Sequence, residues 1–275
     1  MHYLQSDLRQ LFESLFYNEE HLPVYNGILV PWVESHTDQT DWFRSFASKC
    51  IERVYPAEVE ELWRLYAFSR VNEALLLCFQ PGQSTESGLP CPSISLEEYT
   101  DFSVSLGLSN EDSCLFSPFH HEIVIVDQAE DDNQNITLEE TLWPCLMLGN
   151  MLFSRAGVRV SGGKNFIRKN IAEMSTLYWA YRRNNRPHQD LSHDWGGNSQ
   201  WRTRFRRDYR FGRELHYNVD GKSDISVSEP THVDRNGLTI EERIELLVNR
   251  CFIRCDKPNG DLWPYYDRYS AVMCD

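Results

Sequence analysis

Residues 201–227 read WRTRFRRDYRFGRELHYNVDGKSDISV, and aromatic or apolar side chains alternate there with charged ones. Trp201 and Phe205 lie on one side of this alternation, and arginines lie on the other. A period of two is typical of a β-strand, because successive side chains point to opposite faces. Asp220-Gly221 is a favoured hairpin turn. The stretch therefore predicts an antiparallel β-meander whose aromatic face covers a core.

Helices are predicted on both sides of the meander, because apolar residues recur there at helical spacing. Capping boxes at Ser95/Glu98, Thr137/Glu140 and Thr239/Glu242 mark three starts. The second of these helices is limited by Pro144. The other predicted helices cover residues 3–17, 40–54, 56 onward, 95–107, 165–182 and 239–251.

Short apolar runs predict strands at residues 74–79 and 122–127, and an extended piece at 28–30. Residues 145–153 fit either a helix or a strand. A loop rich in Gly, Ser and Pro follows residue 80. Helices first and strands clustered later indicate an α+β fold, with N-terminal helices, a mixed or antiparallel sheet, and a C-terminal β-meander followed by a helix. We expect a single domain over residues 1–275, and any subdivision would fall near 155–165.

Composition excludes wholesale disorder and a membrane span. The chain has 275 residues, 41% of them hydrophobic, and no apolar stretch approaches the length of a bilayer-spanning helix. No export signal opens the sequence, so a cytoplasmic protein is expected. The eight cysteines show no CxxC pair, which favours reduced thiols. Cys50 and Cys251 fall on apolar helical faces and are expected to be buried. We expect no metal and no cofactor.

Charge is distributed unevenly along the chain, whose formal net charge is −14. Residues 1–154 carry 25 acidic and 6 basic side chains, whereas residues 155–213 carry 4 acidic and 14 basic ones. The basic segment either binds phosphate or pairs with the chain's own carboxylates, and its many arginines suit both uses.

An acidic loop is the strongest candidate for a partner-binding surface. It contains Asp127, Glu130, Asp131 and Asp132, and Glu111 and Asp112 are expected near it. Clustered carboxylates attract a basic groove and occupy its phosphate positions. The same run also fits an ordinary solvated loop.

Three other groups of residues are candidate binding or catalytic sites. The turn Ser161–Asn165 lacks the spacing of a phosphate-binding loop. His188, Asp190, His193 and Asp194 match no metal-ligand spacing, although such residues beside arginines suit phosphodiester chemistry. The arginines of residues 202–210 can follow phosphates, but their period of two also suits an exposed or internally paired ladder. No nucleophile motif is present, so we predict no catalytic residue.

Several segments of the last third resemble bacterial immunity proteins of polymorphic toxin systems. They are residues 193–202 (HDWGGNSQWR), 205–209 (FRRDY), 215–220 (LHYNVD) and 239–251 (TIEERIELLVNRC). The nearest kind is a type VI secretion immunity protein whose partner is a nuclease-type toxin. The resemblance implies a cytoplasmic, non-enzymatic inhibitor that binds its cognate toxin tightly, without membrane or nucleic acid as partner. It carries over no catalytic residue.

Two other functions remain open from the sequence. One is a nucleic-acid-binding protein or metal-dependent phosphodiesterase that acts through the basic residues 182–210. The other is an adaptor that loads a secreted effector.

Overall fold

A computed structural model describes residues 4–18, 22–82, 91–193, 195–227, 237–256 and 262–273. The α-helices are α1 (Leu4–Phe16), α2 (Val30–Ser35), α3 (Thr37–Lys49), α4 (Val59–Leu76), α5 (Leu96–Ser105), α6 (Lys169–Ala172) and α7 (Ile240–Asn249). The strands are β1 (Ser109–Glu111), β2 (His121–Gln128), β3 (Thr137–Trp143), β4 (Cys145–Leu148), β5 (Met151–Ser154), β6 (Ala156–Gly162), β7 (Leu177–Tyr178), β8 (His188–Gln189), β9 (Asp208–Phe211), β10 (Glu214–Tyr217), β11 (Ser223–Asp224) and β12 (Asp267–Val272).

The described strands form three sheets. Seven of them follow the order β1-β4-β5-β9-β10-β12-β11, antiparallel except for the parallel pair β11 and β12. A second sheet has the order β2-β6-β3, with β2 parallel and β3 antiparallel to the central β6. The short strands β7 and β8 make a parallel pair. The predicted α+β class, with helices first, is confirmed.

The core lies on both sides of the larger sheet. Leu146 and Leu148 of β4 pack with the N-terminal helices, whereas Cys145 and Met147 of the same strand pack toward β2 and β6. A strand buried on both faces has apolar residues at every position, which is why residues 145–153 did not alternate. They form the two strands β4 and β5.

Two strand predictions in the helical half are wrong. Residues 74–79 end α4 and continue as the 3-10 turn Leu77–Phe79. Because α4 is buried along most of its length, it has no polar face, and its apolar run resembled that of a buried strand. Residues 28–30 are also helical: a π-helical turn, Val24–Leu29, leads into α2, whose first turn contains Pro31.

Two helix predictions are wrong as well. Thr137 and Glu140 do not cap a helix but pair with Ser161 and Arg159 of β6. Residues 165–182 contain only the four-residue helix α6. Beyond it, backbone groups bond to distant carbonyls: Tyr178 N–H donates to Arg250 O at 2.8 Å. Tertiary hydrogen bonds thus replace the helical ones that the apolar spacing predicted.

Residues 201–207 of the predicted meander form no strand, because Gly197–Arg202 is a 3-10 helix and an irregular segment leads into β9. The meander is confirmed only from β9 onward. Its strands β9 and β10 form a hairpin around Gly212, whose φ of +60° suits a glycine. Asp220 and Gly221 lie in a turn, but β11 returns beside β12 and not beside β10. The loop prediction after residue 80 falls largely on residues 83–90, outside the described chain. α5 and α7 start at their predicted capping boxes.

Candidate functional site

Two carboxylates converge on one arginine at the solvent face of the β2–β6–β3 sheet, and a third lies beside them. Arg159 of β6 lies between the outer strands, with its Nε 3.1 Å from Glu140 Oε2 and its Nη1 3.5 Å from Asp127 Oδ2. Ser161 Oγ lies 2.5 Å from Glu139 Oε1. The register of β3 shifts at Glu139, so both glutamates are exposed. The sheet therefore holds carboxylates in fixed positions.

The acidic loop between β2 and β3 is held beside this sheet by backbone hydrogen bonds, from Asn165 N–H to Asp132 O at 3.0 Å and from Gly163 N–H to Gln134 O at 2.9 Å, and by side-chain contacts. Asp131 accepts a hydrogen bond from Asn133 N–H at 2.9 Å, and Asp132 lies 3.6 Å from Lys164 Nζ. A Cβ on Gly163 would lie 2.3 Å from Asp132 O, so only glycine permits this approach. The Ser161–Asn165 turn, which resembled a phosphate loop, instead supports the acidic loop.

We define the acidic surface as six exposed carboxylates with two neighbouring cations, Arg159 and Lys164. The carboxylates are Asp127, Glu130, Asp131, Asp132, Glu139 and Glu140. The last two are not predicted as site residues from the sequence, because the apparent capping box of Thr137 and Glu140 places them on a helix. Leu138 and Leu142 are four residues apart, a spacing that also fits a helix, so the segment carries no period-two signal for a strand.

Glu111 and Asp112 do not belong to the β2–β6–β3 sheet. Glu111 belongs to β1, the edge strand of the larger sheet, and its Oε1 lies 3.0 Å from Arg210 Nη2. Arg210 Nη1 in turn contacts His120 Nε2 at 3.0 Å. Asp112 is exposed. The carboxylate of Glu111 is thus engaged within the chain.

His120 makes the stability of the protein dependent on pH. It is buried, and burial, together with the charges of Arg210 and Arg155, lowers its pKa to about 4. The unfolded chain has a histidine pKa of about 6.5, so it binds more protons than the folded chain between pH 6.5 and 4. The contribution of His120 to the free energy of unfolding is therefore complete above pH 6.5. It falls below that pH, by about 1–2 kcal/mol at pH 5. In urea unfolding at several pH values, His120→Gln is expected to flatten this decline. Parallel profiles of wild type and variant between pH 7 and 5 would contradict the assignment.

The basic residues 202–210 are mostly turned inward. Arg206 and Arg207 are both buried, so these neighbouring side chains do not alternate as predicted. Arg207 makes two hydrogen bonds to Asp220, at 2.6 and 2.7 Å, and a third to Tyr55 O. Arg202 and Arg204 are exposed. The structure therefore shows internal pairing for Arg206, Arg207 and Arg210 and exposure for Arg202 and Arg204.

The histidine grouping after β7 does not converge on one point. Asp190 is buried, and its Oδ1 accepts hydrogen bonds from Tyr66 Oη at 3.1 Å and Ser192 N–H at 2.8 Å. The rings of His188 and His193 lie 5.8 Å apart in a surface depression. Asp194 lies outside the described residues. In the part of the chain that the structure describes, no three His, Cys, Asp or Glu residues can hold a metal ion together.

Comparison with known proteins finds no matching family model, no matching curated protein and no matching solved structure. Among the described helices, none is both long and apolar enough to cross a bilayer. Cys50 and Cys251 are buried, as expected. Evidence for a function therefore comes from the side chains of this chain and their contacts.

Proposed function

We propose that this chain is a cytoplasmic immunity protein that neutralises a cognate secreted antibacterial toxin of the nuclease type. It acts without chemistry of its own, by docking the acidic surface onto a basic groove of the toxin. The observation that carries the proposal is the acidic surface, where six exposed carboxylates surround two cations on a sheet and its attached loop.

The electrostatics of a nuclease supply the complement to this surface. An enzyme that binds nucleic acid needs lysines and arginines that contact phosphates. A patch of carboxylates is attracted to the same groove and raises the rate of encounter. Because Glu139 and Glu140 lie on a paired strand, little conformational entropy is lost when they dock.

The burial of several arginines disfavours the alternative function, a nucleic-acid-binding protein or phosphodiesterase that acts through residues 182–210. A nucleic-acid-binding protein presents its guanidinium groups to phosphates. Here Arg155, Arg183, Arg206 and Arg207 have buried side chains and contact the chain's own carboxylates or carbonyls. The net charge of −14 points the same way.

Co-expression with a candidate effector gene encoded beside this one tests the proposal. Cells that produce the effector alone are expected to die, and cells that also produce this chain are expected to grow. Growth that is lost in both strains would overturn the proposal. An adaptor would instead be needed for export of the effector while giving no protection inside the producing cell, so measurements of secretion separate the second alternative.

Charge reversal on the acidic surface is expected to slow toxin association about tenfold at low salt. The variant carries Asp127→Lys, Glu130→Lys, Asp131→Asn and Asp132→Lys. Asparagine at 131 keeps the acceptor for Asn133 N–H, so the loop retains its turn. The difference from wild type should shrink as salt rises, because the screening length shortens. Association rates measured over a salt series provide the check.

The matched control reverses three exposed carboxylates of the helical half, Glu34→Lys, Asp41→Lys and Glu52→Lys. It changes the net charge by nearly as much, so a steering effect specific to the acidic surface should leave its association rate close to wild type. An equal loss in both variants would mean that net charge alone steers the partner.

A further inference from the structure

A polar cavity of about 40 Å3 lies between α4, β5 and the chain that leads into β9. Tyr66 and Asn72 line it from the helix, and Ser154 lines it from the strand. One water molecule needs about 10–15 Å3 of such space, so the cavity accommodates several oxygen-sized atoms.

Three arginines line one end of this cavity, and two of them share a single carboxylate. Arg206 Nε lies 2.8 Å from Asp208 Oδ1, and Arg250 Nη2 lies 3.1 Å from Asp208 Oδ2. Arg155 makes no hydrogen bond to Asp208 and donates from Nη2 to Val248 O at 2.7 Å. All three arginines line the cavity, and Asp208 is fully buried. This end therefore has more cations than anions.

Several N–H groups of these arginines have no acceptor in the described part of the chain. They belong to Arg155 Nε and Nη1, Arg206 Nη1 and Arg250 Nε. Arg155 and Arg206 are only 4% and 5% exposed. A guanidinium group keeps its protons, and each buried donor without a partner costs about 1–3 kcal/mol. An acceptor inside the cavity removes this cost.

The carboxylates at the other end of the cavity are engaged elsewhere. Arg183 donates from Nε to Glu122 Oε1 at 2.6 Å and from Nη2 to Glu122 Oε2 at 2.7 Å. Its Nη1 lies 3.2 Å from Glu73 Oε1. Asp190, also in the lining, accepts from Tyr66 and Ser192. None of these contacts supplies an acceptor to the unpartnered arginine groups.

The protonation equilibria of the arginines reflect the same shortage of negative charge. Burial, with a contribution from Arg250, lowers the pKa of Arg155 to about 10. Burial also lowers the pKa of Arg206 to about 9, despite the nearby carboxylate of Asp208. A further anion would stabilise both charged forms.

We propose that this cavity binds one small free oxyanion, of the phosphate or sulfate class, between Arg155, Arg206 and Arg250. The oxygens of such an ion accept from several guanidinium N–H groups at once and neutralise charge, which water molecules do not. Exposed Arg204 lies at the rim and adds positive potential at the entrance. The site is independent of the acidic surface and of the toxin.

Phosphate titration of the whole chain tests this site. With total ionic strength held constant, inorganic phosphate or sulfate is expected to raise the melting temperature saturably, and chloride is not. Calorimetry should give one bound phosphate per chain. Arg155→Met is expected to lower the affinity for phosphate at least tenfold. Arg202 is exposed and lies outside the cavity lining, so the control variant Arg202→Gln should bind phosphate with wild-type affinity. Equal effects of phosphate and chloride, or unchanged affinity in folded Arg155→Met, would overturn the proposal.

Two further experiments test the size of the bound ion and its position. Adenosine monophosphate is expected to bind much more weakly than free phosphate, and a preference for the nucleotide would overturn the assignment to a small ion. If Arg155→Met fails to fold, crystals of wild type grown with selenate provide the answer through anomalous scattering. A selenium peak beside the three arginines supports the site, and ordered water alone at that position refutes it.

Discussion

Asp208→Asn is expected to lower the free energy of unfolding by about 3–5 kcal/mol at pH 7. The carboxylate of Asp208 accepts from Arg206 at 2.8 Å, from Arg250 at 3.1 Å and from Asn218 N–H at 2.7 Å. Asparagine removes the only negative charge in direct contact with these two arginines among the described residues. Urea unfolding followed by circular dichroism measures the loss.

The control for this substitution is Asp224→Asn, which weakens the partly exposed 3.3 Å pair with Arg268. A change within about 1 kcal/mol is expected there. The pH dependence adds a second check. Burial opposes ionisation of Asp208, but Arg206 and Arg250 hold its pKa at about 2. Its contribution is therefore complete above the unfolded pKa of about 3.9 and is lost as pH falls toward 2. Wild type and Asp208→Asn should converge in that interval.

Arg183→Met is the second substitution with a large expected effect, about 3–5 kcal/mol at pH 7. Burial disfavours the charged form of Glu122, yet Arg183 holds the pKa of this carboxyl below its usual value. Burial raises the pKa of Glu73. Without Arg183, both glutamates remain in the interior without their cation, and their charged forms become costly.

The sign of the pH effect distinguishes this mechanism from a simple packing defect. In Arg183→Met the two glutamates have folded pKa values above their unfolded ones, so the folded state binds more protons. The variant should therefore gain stability, relative to wild type, as pH falls from 7 to 5. Adding Glu73→Gln and Glu122→Gln should recover most of the loss at pH 7. A deficit that is unaffected by pH and by these substitutions would show that methionine merely packs badly.

Local sequence signals predicted a large part of the fold. α1 follows its apolar stripe, and the capping boxes at Ser95 and Thr239 both begin helices, because these hydrogen bonds connect residues three apart. The same signal failed at Thr137, where pairing with Ser161 of β6 prevailed. Long-range pairing of this kind leaves no mark in a short window of sequence.

The candidate sites show the same division. The carboxylates of residues 127–132 are adjacent in the chain, and composition alone identified them. The buried ion pairs were out of reach, because Arg183 and Glu122 are 61 residues apart. Charge counting left two interpretations of the basic segment 155–213, phosphate binding or pairing with carboxylates of the chain. Only the fold shows which carboxylates pair with it.

The placement of Glu139 and Glu140 bears on whether a second chain can add to the edge of the β2–β6–β3 sheet. β2 and β3 are the two outer strands of their sheet. Side chains of Lys169, Glu173 and Arg186 already bond backbone groups of β2, so β3 offers the edge to which another strand can add. Charged side chains and the irregular register of β3 hinder that addition. The carboxylates along these strands thus oppose the addition of another strand. Replacing them with apolar residues is expected to promote aggregation.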